Sequence, residues 1–145
     1  MTRVIGIDHG SRRIGLAVGD TATGMAFARP ALRRRSLVLD LDTIAVLARD
    51  EDAELVVVGL PRNMDGSEGP QAAAARDFGE RLAAIGLRVA YVDERLTSWQ
   101  AAEQLADEGR RVRRRSGEID SAAARLILQE YLDAHAPPDV AQEPE

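Results

Sequence analysis

The 145-residue chain contains no cysteine and no lysine. Without cysteine, disulfides and thiolate metal sites are excluded. Without lysine, all 19 basic residues are arginine, the side chain better suited to bidentate phosphate contact. Long apolar runs are also missing: none approaches the roughly 18 to 20 residues that a membrane-spanning helix needs. The first residues, MTRVIGID, lead directly into a strand pattern. They lack the charged, apolar and small-residue order of a secretory signal, so the expected location is the cytoplasm, with no membrane partner. No G-x-G-x-x-G follows the first strand and no GK[ST] occurs anywhere, so dinucleotide and P-loop readings fail. A net charge of −5 argues against a protein coated in nucleic acid.

What is present suits one packed domain. Residues 1–136 read as that domain. Pro137 and Pro138 then end the pattern, and 137–145 reads as a disordered acidic tail. The arginines cluster twice, at Arg33, Arg34 and Arg35 and at Arg110, Arg111, Arg113, Arg114 and Arg115. The ordinary reading of such runs is solvated loops; the functional one is phosphate contact.

Strands are expected over 2–7, 14–18 and 25–32, the third one weaker and placed at an edge by Pro30. Helical spacing marks 40–50, and LVVVG at 55–59 reads as a strand buried on both faces. A turn-rich loop precedes a helix over 72–85 that ends at Gly86, and a fifth strand covers 87–92. Thr97 and Gln100 have capping-box spacing, so a helix starts there and runs to about Glu108. A last helix begins near Ile119 and reaches about Ala134. The first three strands pair as an antiparallel meander. The later two arrive through helical crossovers, parallel to the first. The fold class is therefore α/β, a mixed five-stranded sheet flanked by helices.

Three acids stand where such sheets bind ligands. Asp8 ends the first strand and is followed by His9 and Gly10, the glycine leaving room for a phosphate or metal near the backbone. Asp93 and Glu94 follow the fifth strand, and alternation lets only one of them face Asp8. Asp120 lies in the first turn or so of the last helix, next to the small residues Ala123 and Ala124, which let a helix press close to a sheet. Each has a plain structural alternative: a turn cap, a charged strand end, a helix-dipole partner. Together they are hard oxygen ligands suited to Mg²⁺ or Mn²⁺, and two such ions support phosphodiester cleavage. Asn63 and Asp65, in the loop after the fourth strand, are candidates for substrate positioning or outer metal contact, or parts of an ordinary turn. His9 is a candidate for proton transfer, but a lone loop histidine more often has no such role. His135 reads as a surface residue, and Trp99 as core rather than a base-stacking platform.

Four segments carry a family resemblance: IGIDHGSRRIGLAVGD at 5–20, VVGLPRNMDGSEG at 57–69, VDERLTS at 92–98 and IDSAAARLILQEYL at 119–132. On these the chain resembles the YqgF family of Holliday-junction-resolvase-like proteins over 3–132. The resemblance implies a ribonuclease H-like fold and a divalent-metal nuclease associated with maturation of the 5′ end of 16S rRNA. It implies Asp8, Glu94 and Asp120 as the acids holding Mg²⁺ or Mn²⁺, with Glu94 preferred over Asp93. Related junction resolvases carry a further acid one turn along the last helix, where this chain has Ala123 and Ala124.

The expected substrate is structured RNA, precursor 16S rRNA, with branched DNA as the alternative. Arg12, Arg13, Asn63, Arg95, Arg111, Arg113, Arg114 and Arg115 are the expected nucleic-acid contacts. A symmetric junction would need a dimer, and the sequence leaves monomer or homodimer open. A sugar-kinase-like phosphotransferase would need a second lobe that this length does not hold. A non-catalytic nucleic-acid-binding module in transcription or ribosome assembly is the remaining class.

Overall fold

The computed structural model describes residues 2–93 and 116–135, except the side chains of 116–120. Five strands, β1 (Arg3–His9), β2 (Arg13–Asp20), β3 (Met25–Arg33), β4 (Leu55–Leu60) and β5 (Val89–Asp93), form one sheet in the order β3-β2-β1-β4-β5. β1 pairs antiparallel with β2, and β2 with β3, while β4 runs parallel to both β1 and β5. This is the mixed sheet expected from the sequence.

β3 lies at the edge, as Pro30 requires. Its register with β2 shifts between Ile14 and Leu16, whose partners are Leu32 and Arg29. Gly15 thus faces two residues, Pro30 and Ala31, so the residue with no amide hydrogen sits at a bulge. All six residues of β4 are buried, as an apolar run between two parallel neighbours should be.

Helices α1 (Leu37–Asp50) and α2 (Pro70–Ala84) cover one face of the sheet. Ile5, Ile7, Ile14, Leu16, Val56 and Val58 meet Ile44, Phe78 and Leu82 there. α1 begins three residues before the expected start. Ser36 is its N-cap, accepting the Leu39 amide at 3.2 Å. Val38 and Leu39 are exposed in the first turn, so the apolar period becomes visible only from Leu41 onward. α2 closes with Gly86 at φ 106°, where the Gly86 and Leu87 amides donate to the Ala83 and Leu82 carbonyls. That is the paired closure of a Schellman motif, and it delays the fifth strand to Val89 rather than Leu87.

Helix α3 (Ser116–Ala134) covers the other face, burying Ala124, Ile127, Leu128 and Leu132 against Val4, Ala17 and Val57. Its contact with β1 is close because Gly6 has no side chain. A Cβ at Gly6 would lie 2.7 Å from the Leu128 Cβ and 3.0 Å from the Ala124 carbonyl oxygen. Ser121 Oγ donates to the Arg29 carbonyl at 2.6 Å, and Gln129 bridges the Ala26 amide and Gly24 carbonyl, tying α3 to β3. The expected helix from Thr97 to Glu108, Trp99, the second arginine cluster and the tail lie outside the described residues.

Candidate active site

The parallel strands end together. Ile7 pairs with Val58, Gly59 with Val92 and Leu60 with Asp93, so Asp8, Leu60 and Asp93 share one edge of the sheet. Alternation along β1 assigns Val4, Gly6 and Asp8 to the α3 face, and Ile5, Ile7 and His9 to the α1 and α2 face.

The course of α3 follows from its contacts. Leu132 lies nearest Gly19, which pairs with Val4, while Ala124 and Leu128 lie over Gly6. The helix therefore runs opposite to β1, with its N-terminal half at the Asp8 end. Position 120 belongs to the row of Ala124 and Leu128, four residues apart along the helix. It is the fifth residue of α3 rather than one of its first turn, so a helix-dipole role explains it less well.

Of the other expected metal ligands, Glu94 lies outside the described residues, as do Arg95, Arg111, Arg113, Arg114 and Arg115. Its neighbour Asp93 approaches Arg62, with Oδ2 at 3.9 Å from Nη1. β4 separates β5 from β1, so a carboxylate from β5 must bridge about 10 Å, two strand spacings, to reach Asp8. Among the described residues, no three His, Cys, Asp or Glu side chains gather as a metal cluster. Of the three acids proposed from sequence, only Asp8 has a side chain in that set.

Beside Asp8 is a cleft of about 310 Å³ lined by Asp8, His9, Gly10, Ser11, Arg34, Pro61, Gln71 and Ala74. His9 ends β1 as a strand residue and packs on Phe78, ring centroids 4.9 Å apart. Burial first, then the nearby Arg34 charge, lower its pKa from 6.5 to about 4. A neutral imidazole therefore lines the cleft at neutral pH. Gly10 has a different reason for being glycine than the expected open approach. A Cβ there would lie 2.6 Å from the Arg13 carbonyl oxygen, which accepts the Gly10 amide at 3.0 Å. The hairpin's own backbone occupies that space.

Asn63 and Asp65 both form hydrogen bonds within their own turn. The Asn63 amide group donates to Ser67 Oγ at 2.9 Å, and Asp65 Oδ1 accepts the Ser67 amide at 2.9 Å and hydroxyl at 2.6 Å. These bonds are those of an ordinary turn. Arg12 and Arg13 line a second cleft, of about 390 Å³, with Ser11, Arg33 and Arg34. Arg34 and Gly6 are the residues whose importance is least visible in the sequence. Arg34 sits in a charge run, and Gly6 is marked only by being a glycine inside a strand.

The family model described as "RuvX: Holliday junction resolvase" matches residues 2–134. The chain belongs to this family. A RuvX-family relative from Anaeromyxobacter sp. (strain K), named "Putative pre-16S rRNA nuclease", is 47% identical over 93% of this chain and 99% of its own. One of the same name from Myxococcus xanthus (strain DK1622) is 43% identical over 99% of this chain and 95% of its own. The structure of T. thermophilus RuvC in complex with Holliday junction substrate has a TM-score of 0.57 at 15% identity, covering 94% of this chain and 98% of the other. That likeness shows a shared ribonuclease H-like fold. This RuvX-family chain is a hydrolytic nuclease. No described helix is long and apolar enough to cross a membrane.

Proposed function

We propose that the chain is a divalent-metal-dependent endonuclease acting on structured RNA, and that precursor 16S rRNA is its substrate. The observation that carries this reading is the position of Asp8. It lies one residue before the end of β1, at the edge shared by β4 and β5, on the face where the N-terminal half of α3 lies. The names of the curated relatives point to the RNA.

The donor chemistry fits the metal. Asp8, Glu94 and Asp120 would hold Mg²⁺ or Mn²⁺ through carboxylate oxygens, the donors these hard cations prefer. When bound, such ions lower the pKa of water and stabilise the leaving oxygen of a phosphodiester. The chain's own groups do the rest. Arg12 and Arg13 supply positive charge beside Asp8 for the backbone, with Arg95, Arg111, Arg113, Arg114 and Arg115 as further candidates. Neutral His9, backed by the Phe78 ring, lines the adjoining cleft.

The test is cleavage of labelled 16S precursor and a four-way DNA junction, side by side, with Mg²⁺, Mn²⁺ or chelator. Metal-dependent cutting of the precursor, abolished in Asp8→Asn, is expected. Cutting that survives chelator, or Asp8→Asn at full rate, would overturn the proposed site. Preference for the junction would favour branched DNA, the second reading, which the RuvC-like fold keeps in view.

A further inference from the structure

Arg34 is not a solvated member of a charge run. It leaves the end of β3, its backbone amide donating to the Arg12 carbonyl at 2.9 Å. Its guanidinium turns inward, where Nη1 donates to the Gly10 carbonyl at 3.0 Å and Nε lies 3.7 Å from Asp40 Oδ2. Asp40 is 1% exposed, and its carboxylate also accepts the Arg35 amide at 3.2 Å. A buried carboxylate thus lies against the guanidinium of Arg34, and a backbone carbonyl holds one of its N–H groups. A guanidinium has five N–H donors, and these contacts leave several for a further acceptor.

The surroundings are unusually cationic. Arg34 borders both the cleft beside Asp8 and the cleft of Ser11, Arg12, Arg13 and Arg33. Arg13 and Arg33 are direct cross-strand partners in the antiparallel register of β2 and β3. Both also line the second cleft, which brings their positive charges together there. A phosphodiester fits, because arginine forks recognise phosphate oxygens bidentately.

We infer that this arginine cleft is a built subsite for a backbone phosphate next to the scissile one, with Arg34 as its fixed donor and Asp40 as the residue that positions Arg34. The inference rests on the nuclease reading above. The shared chemistry is the phosphodiester, so both an RNA and a branched DNA must be tried.

The experiment measures binding of a fluorescent RNA hairpin and of a fluorescent four-way DNA junction over a salt series, without divalent metal. Wild type should bind at least one of them with affinity that falls steeply with salt. Arg34→Gln should weaken that binding by about 5-fold and lower the slope of log K against log salt by about 1. Arg33→Gln, on an exposed side chain whose loss leaves the fold intact, should lower the slope similarly. Arg34→Lys should keep the slope yet bind less tightly, because it keeps the charge and loses the fork. Asp40→Asn gives a readout of sign. It adds a net positive charge, so simple electrostatics predicts tighter binding, whereas loss of positioning predicts weaker binding. Wild-type slopes in both Arg34→Gln and Arg33→Gln, with wild type binding normally, would overturn the subsite and leave the nuclease reading standing. Tighter binding by Asp40→Asn would overturn the positioning role. Wild type that binds neither probe would overturn both the subsite and the nuclease reading.

Discussion

Two glycine-containing loops leave the same edge of the sheet with similar residue types and opposite behaviour. The loop after β1 carries Gly10, Ser11 and Arg12; the loop after β4 carries Arg62, Asn63, Asp65, Gly66 and Ser67. In the second, side chains satisfy each other. Asp65 holds Ser67, Ser67 accepts from Asn63, and Glu68 is held by Arg62 and Arg76. In the first, the backbone is held from behind, by the Gly10 to Arg13 bond and by Arg34, and two clefts border it. The first loop thus takes support from an arginine outside it and borders two clefts, whereas the second is closed largely by its own side chains.

The sharpest way to break this comparison is to neutralise one acid in each region. Asp8→Asn should lower cleavage by more than about 100-fold, beyond the usual effect of losing an outer-shell partner, with the melting temperature nearly unchanged. Asp65→Asn should leave cleavage within a few-fold of wild type. Equal losses in single-turnover assays would erase the distinction.

The next effect is on stability. Gly10→Ala drives a Cβ against the Arg13 carbonyl and should destabilise by about 1–3 kcal/mol in urea unfolding. Gly69→Ala meets the Asn63 side chain only at 3.8 Å, an ordinary contact. As a change at the N-cap of α2, it should cost below about 1 kcal/mol. A larger effect at Gly69 than at Gly10 would reverse the roles assigned to the two loops.

His9 offers a comparison by pH. Its folded pKa of about 4 lies below the unfolded 6.5, so the folded chain holds it neutral while the unfolded chain takes up the proton first. Its contribution is fully present above 6.5 and is lost as pH falls from 6.5 toward about 4. Allowing for partial solvent screening, the loss is on the order of 2 kcal/mol. His9→Gln should flatten the stability profile in that window and leave it unchanged above pH 7. A slope that persists in the variant would assign it to other groups.

The smallest effect belongs to the closed loop itself. Asp65→Ala removes an acceptor from an exposed turn and should cost about 1 kcal/mol. Thermal unfolding followed by circular dichroism measures it. A loss several times larger would mean that the loop supports more than its own turn.

Much of this was legible from residue order alone. The apolar run 55–60, Pro30 at an edge and Gly86 after a helix each carry a local signal that tertiary contacts reinforce. Asp8 was legible for the same reason, since a carboxylate ending an apolar strand stands out. The start of α1 was not, because Val38 and Leu39 are apolar yet exposed and hide the period. Gly10 was noticed but misread: a sequence shows that a side chain is missing, not what fills its space.

Residue order alone specified the order of the described elements, the mixed sheet and the edge that carries Asp8. These follow from patterns within a few residues and from the handedness of crossovers. Tertiary structure set what each member of an alike group touches. It seated the Arg34 guanidinium against the Gly10 carbonyl, a contact that no local pattern announces. It gave Gly6 its purpose through Leu128, more than a hundred residues away. It joined Asn63 and Asp65 to Ser67 in an exposed turn. In each case the deciding quantity was a distance between groups, and the type of a residue does not contain it.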